Sequence, residues 1–324
     1  MRLADVGEFG LIRNISSLCS VKKSSILLSI GDDAAAITFK KPIVLATTDM
    51  LIEGVHFDLA YTTFFQLGYK TLAVNVSDIA AMGGQPEFFL LSVGIPQSFD
   101  AQWIEELYRG INELAQMTNT HVVGGDTCVS GSFVLSGTLL GSADRVVSRS
   151  GAQAGDTIYV TNNLGDSAAG MALLQAYGKT VNLEDNSFGS TELAPFEPLV
   201  RRHLMPTPRF LDNISDITSM IDISDGLLQD LGHICEQSGK GAKVYLNQIP
   251  MSDTLRHAAE RLNRNPLDFA LRGGEDYELI FTSSSALQGF FPIGEITEHE
   301  KVVVDHEDGQ VTSVEWGRGY EHFK

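Results

Sequence analysis

Acidic residues recur beside Gly, Ser or Thr along the chain: Ile30-Gly31-Asp32-Asp33, Thr47-Thr48-Asp49, Asn75-Val76-Ser77-Asp78, Gly124-Gly125-Asp126-Thr127, Asp222-Ile223-Ser224-Asp225-Gly226 and Gly273-Gly274-Glu275-Asp276. Each alone is an ordinary turn or N-cap composition. At predicted strand ends and turns, however, the set describes carboxylates converging at one sheet edge, where open α/β folds bind ligands. Carboxylates so gathered repel one another unless a cation sits among them. Oxygen donors with no Cys or His cluster select Mg²⁺ over Zn²⁺.

The usual phosphate and hydrolase motifs are missing. Gly178-Lys179-Thr180 has the end of a P-loop, but Leu173 stands where its first glycine is required. EF-hand spacing, HExxH and GxSxG are absent. His56 lies close after Asp49 in a segment with Gly and Phe, and is weighed as a site residue against an ordinary surface role. Arg149 and the amides of the Gly-rich turns are candidate phosphate contacts. Trp316 and Tyr320, on a glycine-containing tail, offer rings that either stack on a flat or cationic ligand or pack onto the domain.

The elements that must position these residues alternate between short β-branched runs and longer stretches of helical period, the pattern of α/β or α+β folds. Ile43 to Thr48 and Phe88 to Ile95 read as strands. Between them, Leu72, Val76 and Ile79 mark a helix stopping at Gly83-Gly84, with Asn75 and Asp78 on a common face away from the apolar stripe. A helix over about Ala101 to Met117 and strands near His121 to Val123 and Phe133 to Leu140 complete one α/β unit. A boundary near 145 to 152 precedes a second unit: a strand at Thr157 to Val160, a helix after Asp166, a strand ending near Ile223, a helix from Gly226 and a strand over Asp276 to Phe281. The polar stretch Asn182 to Thr191 reads as a surface loop.

At 324 residues the chain has the length of roughly two domains. Its 43% apolar and 20% charged residues exclude extended disorder. A net charge of -18 disfavours nucleic acid and anionic membrane surfaces, so an anionic small ligand needs a cation rather than Lys and Arg to neutralise it. Cys19, Cys128 and Cys235 are too far apart for a disulfide framework or a CxxC site and read as buried reduced thiols. No stretch approaches the ~18 apolar residues of a membrane span, and a cytoplasmic protein is expected.

In this order, IGDDAA, TTDM, GVHF, AVNVSDIAAMGGQP, GGDT, SRSGAQAGD, GDSAAG, IDISDGLLQDLGHI and GGEDYEL closely resemble the thiamine-monophosphate kinase family. The resemblance covers almost the whole chain. It implies the two-domain α/β (α+β) fold of the aminoimidazole ribonucleotide synthetase superfamily. Residues 1–145 would form an N-terminal ATP- and Mg-binding domain that pairs across a homodimer, and 146–324 a C-terminal α/β domain completing the nucleotide and substrate sites. The implied reaction is ATP-dependent phosphorylation of thiamine monophosphate to thiamine diphosphate with Mg²⁺. By the same resemblance, Asp33, Thr47, Thr48, Asp49, Asp78, Asp126, Asp222 and Asp225 match magnesium ligands, with Asp78, Asp126 and Asp225 acting in catalysis through the metal. Gly125, Asp126, Arg149 and Ser224 match nucleotide contacts, and His56, Glu275 and Tyr320 match substrate-binding positions. Trp316 joins that pocket on stacking grounds alone. The rivals are a sister enzyme with the same ATP apparatus and another acceptor, and a non-catalytic nucleotide- or metal-binding module. GVHF and GGEDYEL favour the thiamine reading over the sister enzyme.

Overall fold

The computed structural model describes residues 6–19, 23–30, 34–183, 188–304 and 311–312. The chain forms two compact units, one of Met1–Ala80, Gly84–Arg145 and Gly178–Gly189, the other of Ala81–Gly83, Val146–Tyr177 and Ser190–Lys324. Residues 178–189 return to the first unit, where the buried Gln66 donates to Val181 O at 2.5 Å.

The first unit carries α1 (Glu8–Leu18), the strand pair β1 (Ile26–Leu28) and β2 (Ala36–Ile37), β3 (Ile43–Ile52), α2 (Phe64–Ala81), β4 (Gln85–Ile95), α3 (Ala101–Thr118), β5 (His121–Val129) and β6 (Val134–Ala143). Strands β3 to β6 form a four-stranded sheet in the order β3-β6-β4-β5. β4 and β5 are parallel, because α3 carries the chain back across the sheet, and the other pairs are antiparallel. Leu67, Leu72, Val76 and Ile79 of α2, Ile104, Leu107 and Ile111 of α3, and Phe89, Leu91 and Val93 of β4 are all buried. The two helices meet backbone to backbone: a Cβ on Gly68 would stand 1.8 Å from Leu107 O, and one on Gly110 1.8 Å from Phe65 O. Neither position has room for any side chain.

Strand pleat leaves the opposite face of this sheet open, and Val44 and Met50 on β3 are 50% and 52% exposed. Cys128 on β5 is exposed as well, whereas Cys19 and Cys235 are buried, so the expectation of three buried thiols fails at Cys128. Asn75 departs from expectation in the other direction. It is fully buried, because α2 presses that face onto the sheet.

The second unit carries β7 (Thr157–Val160), α4 (Asp166–Tyr177), α5 (Glu197–Leu204), β8 (Ile217–Asp222), α6 (Leu227–Ser238), β9 (Gly241–Tyr245), α7 (Asp253–Leu262), α8 (Pro266–Arg272), β10 (Leu279–Ser283), β11 (Phe291–Thr297), β12 (Lys301–Val304) and β13 (Val311–Thr312). Its seven-stranded sheet runs β13-β12-β9-β11-β7-β10-β8, antiparallel except for β12 against β9. One apolar core joins Ile158 and Val160 of β7, Ile221 of β8, Leu227, Leu231 and Ile234 of α6, and Ile280 of β10. Local signals set the helix ends. Ser252 Oγ accepts from Leu255 N at 3.0 Å to start α7, and Asn265 Oδ1 accepts from Leu267 N at 3.0 Å to start α8. The strand expected from Asp276 begins only at Leu279, because Glu275 and Tyr277 take left-handed backbone with φ of 63° and 50°.

Candidate active site

In the first unit, Thr47 and Asp49 lie inside β3 rather than at its end, and point to the face covered by α2. Thr47 Oγ1 donates to Asp78 Oδ2 across to that helix at 2.5 Å. Asp49 pairs in register with Gly137 of β6. The missing side chain there admits Asn75, since a Cβ on Gly137 would lie 2.8 Å from Asn75 Nδ2. Asn75 donates to Thr71 O at 2.9 Å, one turn back. Its Oδ1 and Asp49 Oδ2 are both buried with no hydrogen-bond partner. Burial, and then the nearby Asp78 carboxylate, push the Asp49 carboxyl up to about 7. Two close carboxylates with an orphaned buried oxygen are what a bound hard cation would satisfy, and the all-oxygen donors fit Mg²⁺.

Other expected members lie elsewhere. Pleat alternation turns Thr48 to the opposite face, where Oγ1 donates to Gly137 O at 2.9 Å. Asp126 sits within β5 in register with Ser92, one residue past the row Asp49–Gly137–Leu91–Gly125, and is exposed. Three strand spacings of ~4.8 Å separate β5 from β3, so the sheet does not bring Asp126 to the Asp49–Asp78 pair. Gly125 is obligatory, because a Cβ there would meet Leu91 O at 2.0 Å. His56 follows β3 in a tight turn, and its Nδ1 accepts from Ile52 N at 3.1 Å, which leaves the proton on Nε2. Asp33, Trp316 and Tyr320 lie outside the described residues.

In the second unit, the loop between β8 and α6 carries Asp222, Ser224 and Asp225. Asp222 is buried, and Ser224 and Asp225 are partly open. The loop is shaped from within by Asp230 on the first turn of α6. Its buried Oδ2 accepts the amides of Ser224, Asp225 and Gly226 at 3.1, 3.1 and 3.0 Å. Burial, then Asp222 and Asp225, push the Asp230 carboxyl well above the usual range. A ring nitrogen of His233 and oxygens of Asp225 and Asp230 lie within 4.8 Å of one another. With one oxygen committed to three amides, Asp230 serves here as the brace of the loop. Arg149 is exposed, and its carbonyl accepts from Ser238 Oγ at 3.4 Å.

The Gly273–Glu278 segment lies against that loop. Glu275 N–H donates to Ser224 O at 2.8 Å, and Tyr277 N–H to Ile223 O at 2.9 Å. The fully buried Glu278 takes Thr161, Arg202 and Arg209, with Arg209 Nε and Nη2 both 2.9 Å from it. Asp276 accepts from Gly165 N at 2.5 Å and Ser167 N at 3.0 Å, capping α4. Burial raises the Asp276 carboxyl to about 7 despite Arg202 and these amides. The sequence singles out Asn75 only as sharing a helix face with Asp78, and it gives Asp230, His203 and the Glu278 cluster no role. Of these three only Asp230 carries a signal, an acidic residue one turn into a helix behind a Ser-Asp-Gly loop.

Residues 31–143 match the family model described as AIR synthase related protein, N-terminal domain, and residues 153–307 the corresponding C-terminal domain. The chain is 36% identical to "Thiamine-monophosphate kinase" of Aquifex aeolicus over 331 aligned positions, which span 100% of this chain and 100% of that one. The solved thiamine-monophosphate kinase of Stenotrophomonas maltophilia K279a superposes with a TM-score of 0.80 at 36% identity, covering 94% of this chain and 98% of that one. "AaThiL complexed with AMPPCP and TMP" superposes with a TM-score of 0.76 at 34% identity, covering 100% and 99%. The chain belongs to the thiamine-monophosphate kinase family.

Proposed function

We infer that the chain is a kinase that transfers the terminal phosphoryl group of ATP to thiamine monophosphate, giving thiamine diphosphate and ADP. The observation that carries this is its full-length kinship with thiamine-monophosphate kinases, one relative of which is complexed with AMPPCP and TMP.

We propose Mg²⁺ as the cation. Asp49, Asp78 and Thr47 are proposed as cation ligands of the first unit, which the orphaned Asp49 Oδ2 supports, and Asp222 and Asp225 as cation ligands of the second. When bound, Mg²⁺ supplies neutralisation of charge on the transferring phosphoryl group. The chain's own residues then position the reactants: Thr47 orients the Asp78 carboxylate, Asp230 braces the loop bearing Ser224 and Asp225, and Gly125, Arg149 and Ser224 contact the nucleotide. Asp126 is proposed for the nucleotide and cation on family resemblance alone. His56, Glu275, Tyr320 and Trp316 are proposed for the thiamine part. The acceptor is a phosphate monoester whose second pKa near 6 leaves it largely anionic at neutral pH, so its oxygen needs no general base.

We further propose that the first unit pairs with a second copy through its open sheet face, which the half-exposed Val44 and Met50 support. Among the described residues no helix is long and apolar enough to cross a membrane. A cytoplasmic location is proposed, supported by the three free thiols.

The test is ADP release by the purified protein with Mg-ATP and either thiamine monophosphate, free thiamine or no acceptor, with the product identified by mass. Release only with the monophosphate, with thiamine diphosphate formed, is expected. No release despite Mg-ATP binding would transfer the chain to a sister activity, and ADP formed with free thiamine would refute the phosphate-acceptor mechanism.

A further inference from the structure

Glu275 stands on left-handed backbone at φ 63°, a conformation that a non-glycine residue holds only when its surroundings enforce it. The last turn of α5 does so with consecutive side chains. Arg202 Nη1 reaches Asp276 O at 3.4 Å and also pairs with Glu278. The next residue, His203, is only 3% exposed, and its Nδ1 lies 3.3 Å from Glu275 Oε2 and 3.2 Å from Ser167 Oγ. A carboxylate only accepts hydrogen bonds, so the ring nitrogen facing it must carry the proton; the Ser167 hydroxyl, which can turn, adapts to that tautomer. Ser167 is itself fixed, because its backbone N–H donates to Asp276 Oδ1 at 3.0 Å. The Glu275 side chain remains 26% exposed. It is thus gripped from behind and accessible in front, the arrangement of a carboxylate aimed at a ligand.

We propose that His203 is a positioning residue, donating from Nδ1 to Glu275 and so fixing the carboxylate that recognises the cationic thiamine moiety of the acceptor. This rests on the proposed contact of Glu275 with the acceptor. Nothing in the sequence around His203 signals such a role: it is one more residue of a basic helix end, and only the fold brings it to Glu275.

The experiment uses the full chain and the variants His203→Leu, His203→Asn, His203→Gln, Glu275→Gln and the double variant His203→Leu/Glu275→Gln. Thermal melts establish that each folds. Calorimetric binding of thiamine monophosphate without ATP is measured beside KM for each substrate and kcat. Loss of the donor in His203→Leu should weaken thiamine monophosphate binding and raise its KM about tenfold, with kcat and KM for ATP changed less than about twofold. Asn carries an amide nitrogen near the Nδ1 position and should bring binding back to within about threefold. Gln reaches past that position and should behave like Leu, which keeps the test available if the Leu variant does not fold. In the double variant, His203→Leu should add nothing to Glu275→Gln. Unchanged affinity in His203→Leu and His203→Gln, equal KM shifts for both substrates, or additivity in the double variant would overturn the proposal. Wild-type binding by Glu275→Gln alone would instead overturn the assignment of Glu275, and absence of wild-type turnover the assigned reaction.

Discussion

The amide of Glu275 donates to the carbonyl of Ser224 at 2.8 Å, so a residue proposed for the acceptor and one proposed for the nucleotide share a single backbone hydrogen bond. Gly274, between them, makes that approach possible: a Cβ there would lie 2.3 Å from Ser224 O. Gly274→Ala must push the two segments apart. A displacement of about 1 Å at reacting groups costs about a hundredfold in rate, so kcat/KM should fall by that order while the overpacking lowers stability by about 1–3 kcal/mol. Steady-state kinetics and a thermal melt check it; unaltered kcat/KM would show that the junction is not part of the working site.

Asp78 receives the Thr47 hydroxyl and faces Asp49. Asp78→Asn keeps the shape and an acceptor for Thr47, removes the charge, and relieves the repulsion on Asp49. The variant should fold with undiminished melting temperature and lose turnover, together with Mg²⁺-dependent ATP binding at this position. Near-normal activity would exclude Asp78 from the cation's ligands.

Asp49 holds its proton up to about 7 in the folded chain, whereas an unfolded chain releases it near pH 4. Its stabilising contribution to the metal-free protein is therefore full below the unfolded value and is lost as pH rises through about 7. Asp276, also raised to about 7, adds a loss of the same sign. Melting of chelator-treated protein between about pH 5 and about pH 8 should show the decline, Asp49→Asn should flatten it, and added Mg²⁺ should restore wild-type stability at the alkaline end. Identical pH slopes for wild type and Asp49→Asn would refute the role given to Asp49.

Asp230 accepts from three successive amides. Asp230→Ala leaves them without that acceptor and should cost about 1–3 kcal/mol per amide that stays dry, while Asp230→Asn, which keeps one oxygen, should lose far less. Urea unfolding gives the difference. Equal stabilities for the two variants would mean that water replaces the carboxylate and that the brace is dispensable.

The alternation of elements and the Gly- and Asp-rich turns were readable because period and turn chemistry are local properties. Ile43 to Thr48 announced β3 and the Leu72–Val76–Ile79 spacing announced α2. Which faces these motifs take was not readable. Thr47, Thr48 and Asp49 look equivalent as a string, but in a pleated strand only Thr47 and Asp49 turn to Asp78. The start of β10 was misplaced for the opposite reason, since Asp276 to Phe281 alternates as a strand should, and long-range partners of Glu275 and Asp276 override that pattern. His203 and the Glu278 cluster depend on side chains more than 60 positions apart, a distance at which neither spacing nor composition carries information.

The backbone contact of α2 with α3 at Gly68 and Gly110 bears on how this protein can change over time. The helix that presents Asn75 and Asp78 is seated on α3 by main-chain atoms, so the closeness of that approach is set by backbone and not by side-chain volume. Leu, Ile, Val and Phe in the layer beneath it can exchange over generations only for residues of similar volume, since they fill the core under the helix. Gly68 and Gly110 have less freedom still: any side chain there would force α2 and α3 apart. Variation in this unit should accordingly conserve volume around the two glycines and be refused at them.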